Sequence, residues 1–177
     1  MRDDPNLRQR RDGPISAPNQ LPWPPMIYIA ATILAVAANS IWPLRPEMDL
    51  AALRLVGAVL LAAGLGLDFW AMVTMSRRRA NILPHRAATA LVTTGPFAWS
   101  RNPIYLGNTL ALLGAGLVFA NPWFLPAAII AAIAVLRLAI LREEVHLAMQ
   151  FGVAWERYCG RTARWFGRAS GRRADTK

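Results

Sequence analysis

The sequence predicts an all-α integral membrane protein of about four transmembrane helices, the third and fourth joined as a tight helical hairpin. Three observations carry this. The apolar set reaches 55% of 177 residues while charged residues make up only 17%, against about 25% in soluble domains, and the mean hydropathy is +0.28. The apolar residues fall into four runs. The basic residues, 20 against 10 acidic ones, stand mostly between the runs. That is the pattern of bilayer insertion, not of a nucleic-acid-binding face on a soluble core. One cysteine, Cys159, excludes a disulfide framework or a cysteine-based zinc site. Two histidines, His85 and His146, are too few for a histidine-rich metal centre.

Residues 1–25 are polar and proline-rich and read as a flexible tail. Residues 26–75 hold two N-terminal transmembrane helices. The first runs from Met26 to Trp42 between Pro24-Pro25 and Pro43; the second runs from Leu50 to Met75 and is interrupted by Arg54 and Asp68. Ala35-Val36-Ala37 in the first run resembles a signal-peptidase site, although the polar stretch before it is long for a signal peptide. The third run extends from Ile104 to Ala120 and the fourth from Trp123 to Leu141, interrupted by Arg137. At 1.5 Å per residue these two reach about 25 and 28 Å, near the lower limit for a hydrocarbon core of about 30 Å. Only Asn121-Pro122 joins them, so they must form an antiparallel hairpin. Gly107, Gly114 and Gly116 would let the third helix approach a neighbour closely. Residues 76–166 then form the core of the chain, and 167–177 a basic disordered tail.

Arginine placement sets the orientation. The N-terminal tail carries four basic residues, the segment 76–103 five, and the stretch from Arg142 onward eight. The opposite side carries one, Arg45, and Arg54 and Arg137 lie inside runs. The positive-inside rule therefore puts both termini and the 76–103 segment in the cytoplasm. Nineteen of the 20 basic residues are Arg and Ala is abundant; this composition suggests a bacterial chain and hence the inner membrane.

Chemistry concentrates in two places. Residues 81–107 carry turns at Thr94-Gly95-Pro96 and at Asn102-Pro103, with Phe97, Trp99 and Arg101 between them. Pro103 suits the first position of a helix and Asn102 its N-cap, so the third helix would offer free N–H groups there. The plain alternative is an interfacial loop with an aromatic belt. The second place is Arg137 to Leu147, where Glu143-Glu144 follow the fourth run. The pair either ends the span or receives a cationic ligand. At 100° per residue, Arg137, Glu144 and Leu147 share a helix face and Glu143 points elsewhere. Arg137 either snorkels to the interface or meets an anionic group inside the bundle. Phe151-Gly152, Trp155, Tyr158 and Trp165-Phe166 interleave with Arg and suit an amphipathic segment lying on the bilayer.

These residues carry a family resemblance. Leu91-Val92-Thr93-Thr94-Gly95-Pro96-Phe97 and Ser100-Arg101-Asn102-Pro103-Ile104-Tyr105-Leu106-Gly107 are similar to the signature of the isoprenylcysteine carboxyl methyltransferase family. Glu143-Glu144, Leu147, Phe151-Gly152, Trp155, Tyr158 and Arg164-Trp165 follow its C-terminal half in order and spacing. The resemblance covers about residues 81–166 and implies a membrane enzyme that uses S-adenosylmethionine, held in a cytoplasmic pocket between the loop and the C-terminal segment. The cofactor positions it implies are Thr89, Ala90, Leu91, Val92, Phe97, Asn102, Pro103, Ile104, Tyr105 and Glu143. Arg137 and Arg142 are both candidates for the family's substrate-binding Arg. Eukaryotic members have His where this chain has Asn102, which hydrogen-bonds but does not titrate near neutral pH.

The resemblance implies transfer of a methyl group from S-adenosylmethionine to a small or lipid-soluble acceptor. Thiols, lipid amines and isoprenoid carboxylates all remain open. The bilayer and that acceptor are the expected partners; no nucleic acid is expected, no metal, and no obligate protein partner is legible. Two other classes compete. One is an NADPH-dependent membrane reductase of the sterol reductase type, whose related block is Arg-His-Pro-x-Tyr. The other is a non-enzymatic membrane adaptor. The orientation is directly testable. A cysteine introduced beside Arg45 is expected to react with an impermeant thiol reagent applied from outside, and one beside Arg78 to stay unmodified; the reverse pattern rejects the topology.

Overall fold

The computed structural model describes residues 23–44, 50–78, 80 and 90–167; the outer parts of both expected tails lie outside these residues. All regular structure among them is helical. In chain order it comprises α1 (Trp23–Ile41), α2 (Leu50–Arg77), a 3₁₀ turn (Gly95–Ala98), α3 (Pro103–Val118), α4 (Phe124–Val135), a π-helical stretch (Leu136–Ile140), α5 (Leu141–Phe151) and α6 (Val153–Cys159). From α4 through α5 the helix is continuous, from Phe124 to Phe151.

Among the described residues three helices are long and apolar enough to cross a membrane: Pro24–Ile41, Leu50–Arg77 and Phe124–Phe151. The third expected span, α3, is apolar but has 16 residues, a rise of only about 24 Å. The helix ends at Val118, before the apolar run does at Ala120. Ala120 adopts φ 49°, and the Asn121 N–H reaches back to the Gly116 carbonyl at 2.8 Å. The hairpin turn therefore takes residues that hydrophobicity alone assigns to the helix.

The outward faces are those of a protein solvated by lipid. Ile29, Ile33 and Leu34 on α1, Leu55, Val59 and Phe69 on α2, and Ile129, Ile130 and Ile133 on α4 are all more than half exposed. Hydrocarbon gives no hydrophobic drive between helices, so packing depends on close approach and on buried hydrogen bonds. Small residues supply the approach. Ala31 and Ala35 of α1 meet Phe124, Ala128, Ala131 and Val135 of α4 in one buried cluster.

The α2–α3 pair is antiparallel and closer still, with Gly57 facing Gly114 and Gly64 facing Gly107. A Cβ on Gly64 would lie 2.5 Å from the Gly107 carbonyl oxygen and 2.6 Å from the Ala111 nitrogen. Asp68 occupies the notch over Gly107, where a Cβ would overlap its Oδ1. That oxygen is buried and without a hydrogen-bond partner.

Hydrogen bonds pin α1 at both ends. The Tyr28 hydroxyl donates to the Tyr105 carbonyl at 2.9 Å and lies 2.9 Å from Thr109 Oγ1. At the other end Asn121 Nδ2 donates to the Ala35 carbonyl at 3.2 Å and Trp123 Nε1 to the Trp42 carbonyl at 2.9 Å. Such interhelical bonds contribute on the order of 0.6–2 kcal/mol each.

Gly107→Ala is expected to destabilise the chain by about 1–3 kcal/mol through overpacking. Asp68→Ala in the same chain should recover part of that loss, since Asp68 is the side chain displaced. Unfolding in mixed detergent measures both, and a neutral Gly107→Ala would show that α2 and α3 do not meet at this notch.

Candidate active site

The site is built around the N-terminal mouth of α3. The 3₁₀ turn before it docks on α2: Gly95 has φ +63°, and a Cβ there would sit 2.9 Å from Thr74 Oγ1. Both the conformation and the clearance call for glycine. Pro96 and Phe97 are buried beneath the turn. Pro103 opens α3 at the position where its missing N–H is harmless.

The C-terminal segment clamps this loop from the other side. The Tyr158 hydroxyl donates to the Phe97 carbonyl at 2.7 Å. Burial pushes that hydroxyl well above the ordinary tyrosine range, more than neighbouring Arg101 lowers it, so it remains a donor. The backbones also pair, Arg101 N–H to the Ala163 carbonyl at 3.0 Å and Gly167 N–H to the Trp99 carbonyl at 2.8 Å. The Trp99 and Phe166 rings stack with centroids 6.4 Å apart.

Asn102 does not cap α3 with its side chain. Its Nδ2 donates instead to the Arg164 carbonyl at 3.0 Å, and its backbone N–H goes to Ser100 Oγ at 3.0 Å. The expected side-chain cap is overturned because the C-terminal segment brings the Arg164 carbonyl, which Ser100 Oγ reaches only at 3.4 Å, within 3.0 Å of the Asn102 amide.

The two adjacent glutamates divide the work. Glu144 accepts a two-pronged pair from Arg164, Nε at 2.9 Å and Nη2 at 2.7 Å, and lies 3.1 Å from Arg101 Nη1. This bond to Glu144 holds the Arg164 guanidinium above its usual range. Arg101 also points at Cys159 Sγ, 2.9 Å away. Burial pushes the Cys159 thiol up more than the arginines lower it, so it is not an activated nucleophile. Glu143 turns the other way and accepts the Tyr105 hydroxyl at 2.8 Å. Among the described residues the ion pairs go to Glu144 and none to Glu143.

The structure thus brings Asn102, Pro103, Ile104, Tyr105 and Glu143 to one place, with Phe97 buried beside them under Tyr158. Ala90, Leu91 and Val92 lead into the turn half-buried. Thr89 lies outside the described residues. Arg137 and Arg142 are not brought in; both are exposed. For Arg137 the reason is the π-helical stretch from Leu136 to Ile140. Its wider turns break the 100° progression, so the shared face expected for Arg137 and Glu144 does not form: Arg137 is exposed and Glu144 half-buried.

Sequence reasoning missed Tyr28, whose hydroxyl joins α1 to the backbone of Tyr105. The available signal was a tyrosine followed four residues later by Thr32 inside an apolar run, polar groups that a span keeps for its interior. It also missed His146, which is 4% exposed. A groove of about 580 Å³ runs between α1 and α3, with Tyr28, Thr32, Val36, Asn108 and Leu112 among its lining residues.

Residues 53–154 match the phospholipid methyltransferase family. The chain is 32% identical over 117 residues to the nickel-cobalt-cadmium resistance protein NccN of Alcaligenes xylosoxydans xylosoxydans, covering 65% of this chain and 53% of that protein. The chain therefore spans about half the length of this curated relative. No solved structure matches.

Asn102→Asp discriminates the observed role from capping. A cap tolerates Asp. Here Asp removes the donor to the Arg164 carbonyl and leaves that carbonyl facing a carboxylate, so a loss of about 1–3 kcal/mol is expected. A melting temperature equal to wild type would reinstate the cap.

Proposed function

Because the chain belongs to the phospholipid methyltransferase family, which includes isoprenylcysteine carboxyl methyltransferase-like membrane enzymes, we propose that it moves a methyl group from S-adenosylmethionine to a lipid-soluble or small acceptor. The observation that carries this reading is the Glu143–Tyr105 pair at the mouth of α3. Glu143 is a carboxylate with no arginine on it, fixed by a tyrosine hydroxyl, beside a helix N-terminus. Its neighbour Glu144 has both guanidinium groups.

The donor set fits S-adenosylmethionine. Glu143 suits its ammonium or ribose hydroxyls, the N–H groups at the start of α3 suit its carboxylate, and the Phe97 region with residues 90–92 suits the flat adenine. When bound, S-adenosylmethionine supplies an electrophilic methyl group on a sulfonium. The chain's own part is positioning. Tyr105 fixes the Glu143 rotamer, the clamp of Tyr158, Asn102 and Arg164 fixes the loop, and the buried aromatic residues keep water out, so that the reactants meet in line.

The groove between α1 and α3 supports a lipid-soluble acceptor. It opens on a lipid-facing side, has apolar walls at Ile29, Val36 and Leu112, and reaches Tyr28, whose hydroxyl bonds to the Tyr105 backbone. A soluble cofactor would arrive from the cytoplasm and a lipophilic acceptor from within the bilayer. In this reading the chain is an inner-membrane protein with both termini cytoplasmic, and the site sits at the cytoplasmic surface.

A thermal-shift experiment on the detergent-purified chain tests the proposal. S-adenosylhomocysteine at 100 times its Kd is expected to contribute about 2.7 kcal/mol. NADPH should leave the melting temperature unchanged; stabilisation by NADPH alone would favour a reductase, and by neither a non-enzymatic role. Glu143→Gln should weaken S-adenosylhomocysteine about 10- to 150-fold, the loss of one charge-assisted bond. Glu144→Gln should chiefly lower thermal stability, because it releases two guanidinium groups. Equal effects of the two substitutions on affinity would remove Glu143 from the cofactor site.

A further inference from the structure

His146 lies in α5, three residues beyond Glu143. It is 4% exposed, and its Nε2 is buried with no hydrogen-bond partner. Residues three apart on a helix point within about 60° of each other, so the imidazole shares the buried face of Glu143 one turn further along. Arg142 and Met149, which lie on the side of it away from Glu143 around the axis, are exposed. A buried polar nitrogen left without a partner is unfavourable, which points to a ligand or a reacting group.

The other groups at this end have partners. Glu144 holds Arg101 and Arg164, Tyr158 donates to Phe97, and Cys159 faces Arg101. Glu143, which receives the Tyr105 hydroxyl, stands on the cofactor side in the proposed function. The His146 imidazole offers a ring-nitrogen lone pair to a protic group.

Resting on the methyltransferase reading, we propose that His146 is the proton acceptor for a protic methyl acceptor, a lipophilic thiol. An ionised carboxylate needs no base. An alcohol passes its proton to an imidazole only in concert with attack and inside a dedicated oxyanion-type environment, whereas a thiol is acidic enough, and as the thiolate nucleophilic enough, to need no more than a positioned lone pair. An ammonium would need a free carboxylate besides the one that Tyr105 engages. The balance is simple. With His146 in the Nδ1–H tautomer, the S–H proton passes to the Nε2 lone pair. The acceptor sulfur keeps the S–H electron pair and forms its new bond to carbon with it. The pair from the broken carbon–sulfonium bond stays on the donor sulfur, and the imidazolium later returns the proton to water.

The test compares two thiols, decanethiol, which is protonated at neutral pH, and thiophenol, which is largely ionised. In the full chain in lipid nanodiscs, His146→Asn is expected to slow methylation of decanethiol about 100-fold or more. Methylation of thiophenol should stay within about 3-fold of wild type, because its proton is already gone. S-adenosylhomocysteine affinity by calorimetry should also stay within about 3-fold, because His146 acts on the acceptor side. A readout without cofactor accompanies this. In chain labelled with ring-¹⁵N histidine, decanethiol should move the His146 Nε2 resonance toward the protonated position, and the signal should be missing in His146→Asn.

Equal losses on both thiols, or none on either, overturn the proposal. If His146→Asn does not fold, His146→Gln and diethylpyrocarbonate modification of the wild type, mapped to His146, give the same comparison. A wild-type chain that binds S-adenosylhomocysteine but methylates neither thiol also overturns it and leaves the methyltransferase reading standing. A wild-type chain that binds no S-adenosylhomocysteine overturns that reading itself.

Discussion

Glu144 accepts two bonds from Arg164 and one close approach from Arg101, and much of the site hangs on that arrangement. Arg101 belongs to the loop before α3, Arg164 to the segment after α6, and Glu144 to the long helix between them. Three pieces distant in sequence thus meet at one half-buried carboxylate. With that ion triad set, the carbonyl of Arg164 lies where Asn102 and Ser100 can reach it, and Tyr158 lies where it can hold Phe97. A charge group at a membrane interface is screened less than one in open water, and removal of the shared partner would leave two cations together. The clamp is therefore cooperative: the hydrogen bonds need the ion triad for alignment, and the triad needs the loop for its depth.

A second constraint acts at right angles to the first. On one side α3 packs closely on α2, with glycine facing glycine along the contact. On another its Tyr105 hydroxyl meets Glu143 and its Tyr105 carbonyl receives Tyr28. Beside that contact lies the groove between α1 and α3. In a bundle without hydrophobic drive, close packing on one face and an opening on the other are two consequences of the same choice of small residues.

Neighbours in sequence take different partners in this chain. Glu144 is bound by two arginines whereas Glu143 accepts the Tyr105 hydroxyl; Asn102 serves the clamp with its side chain while Pro103 and the residues after it form the helix N-terminus. Such division follows from helix geometry, since adjacent residues point about 100° apart and so belong to different environments. The π-helical stretch sets which glutamate meets which environment, and π-bulges of this kind recur at functional sites.

Much was legible in the sequence. The four apolar runs, the two-residue link at Asn121-Pro122, the glycines of α3 and the loop block around Asn102 all act locally or through hydrophobicity, and these depend on residue type alone. The pattern of the whole block also singled out Glu143 and Tyr105, which the fold brings within 2.8 Å of each other. The sequence could not assign the arginines. Periodicity put Arg137 on the face of Glu144, whereas Arg101 and Arg164 pair with that carboxylate and the π-helical stretch intervenes between Arg137 and Glu144. It could not show that Asn102 would turn from its own helix to a carbonyl 62 positions away, nor that Tyr28, in a run with no motif, would bond to Tyr105. These outcomes depend on which distant groups become neighbours when the helices close. A buried polar atom takes the partner that packing puts within 3 Å or so, and local sequence carries no record of that distance.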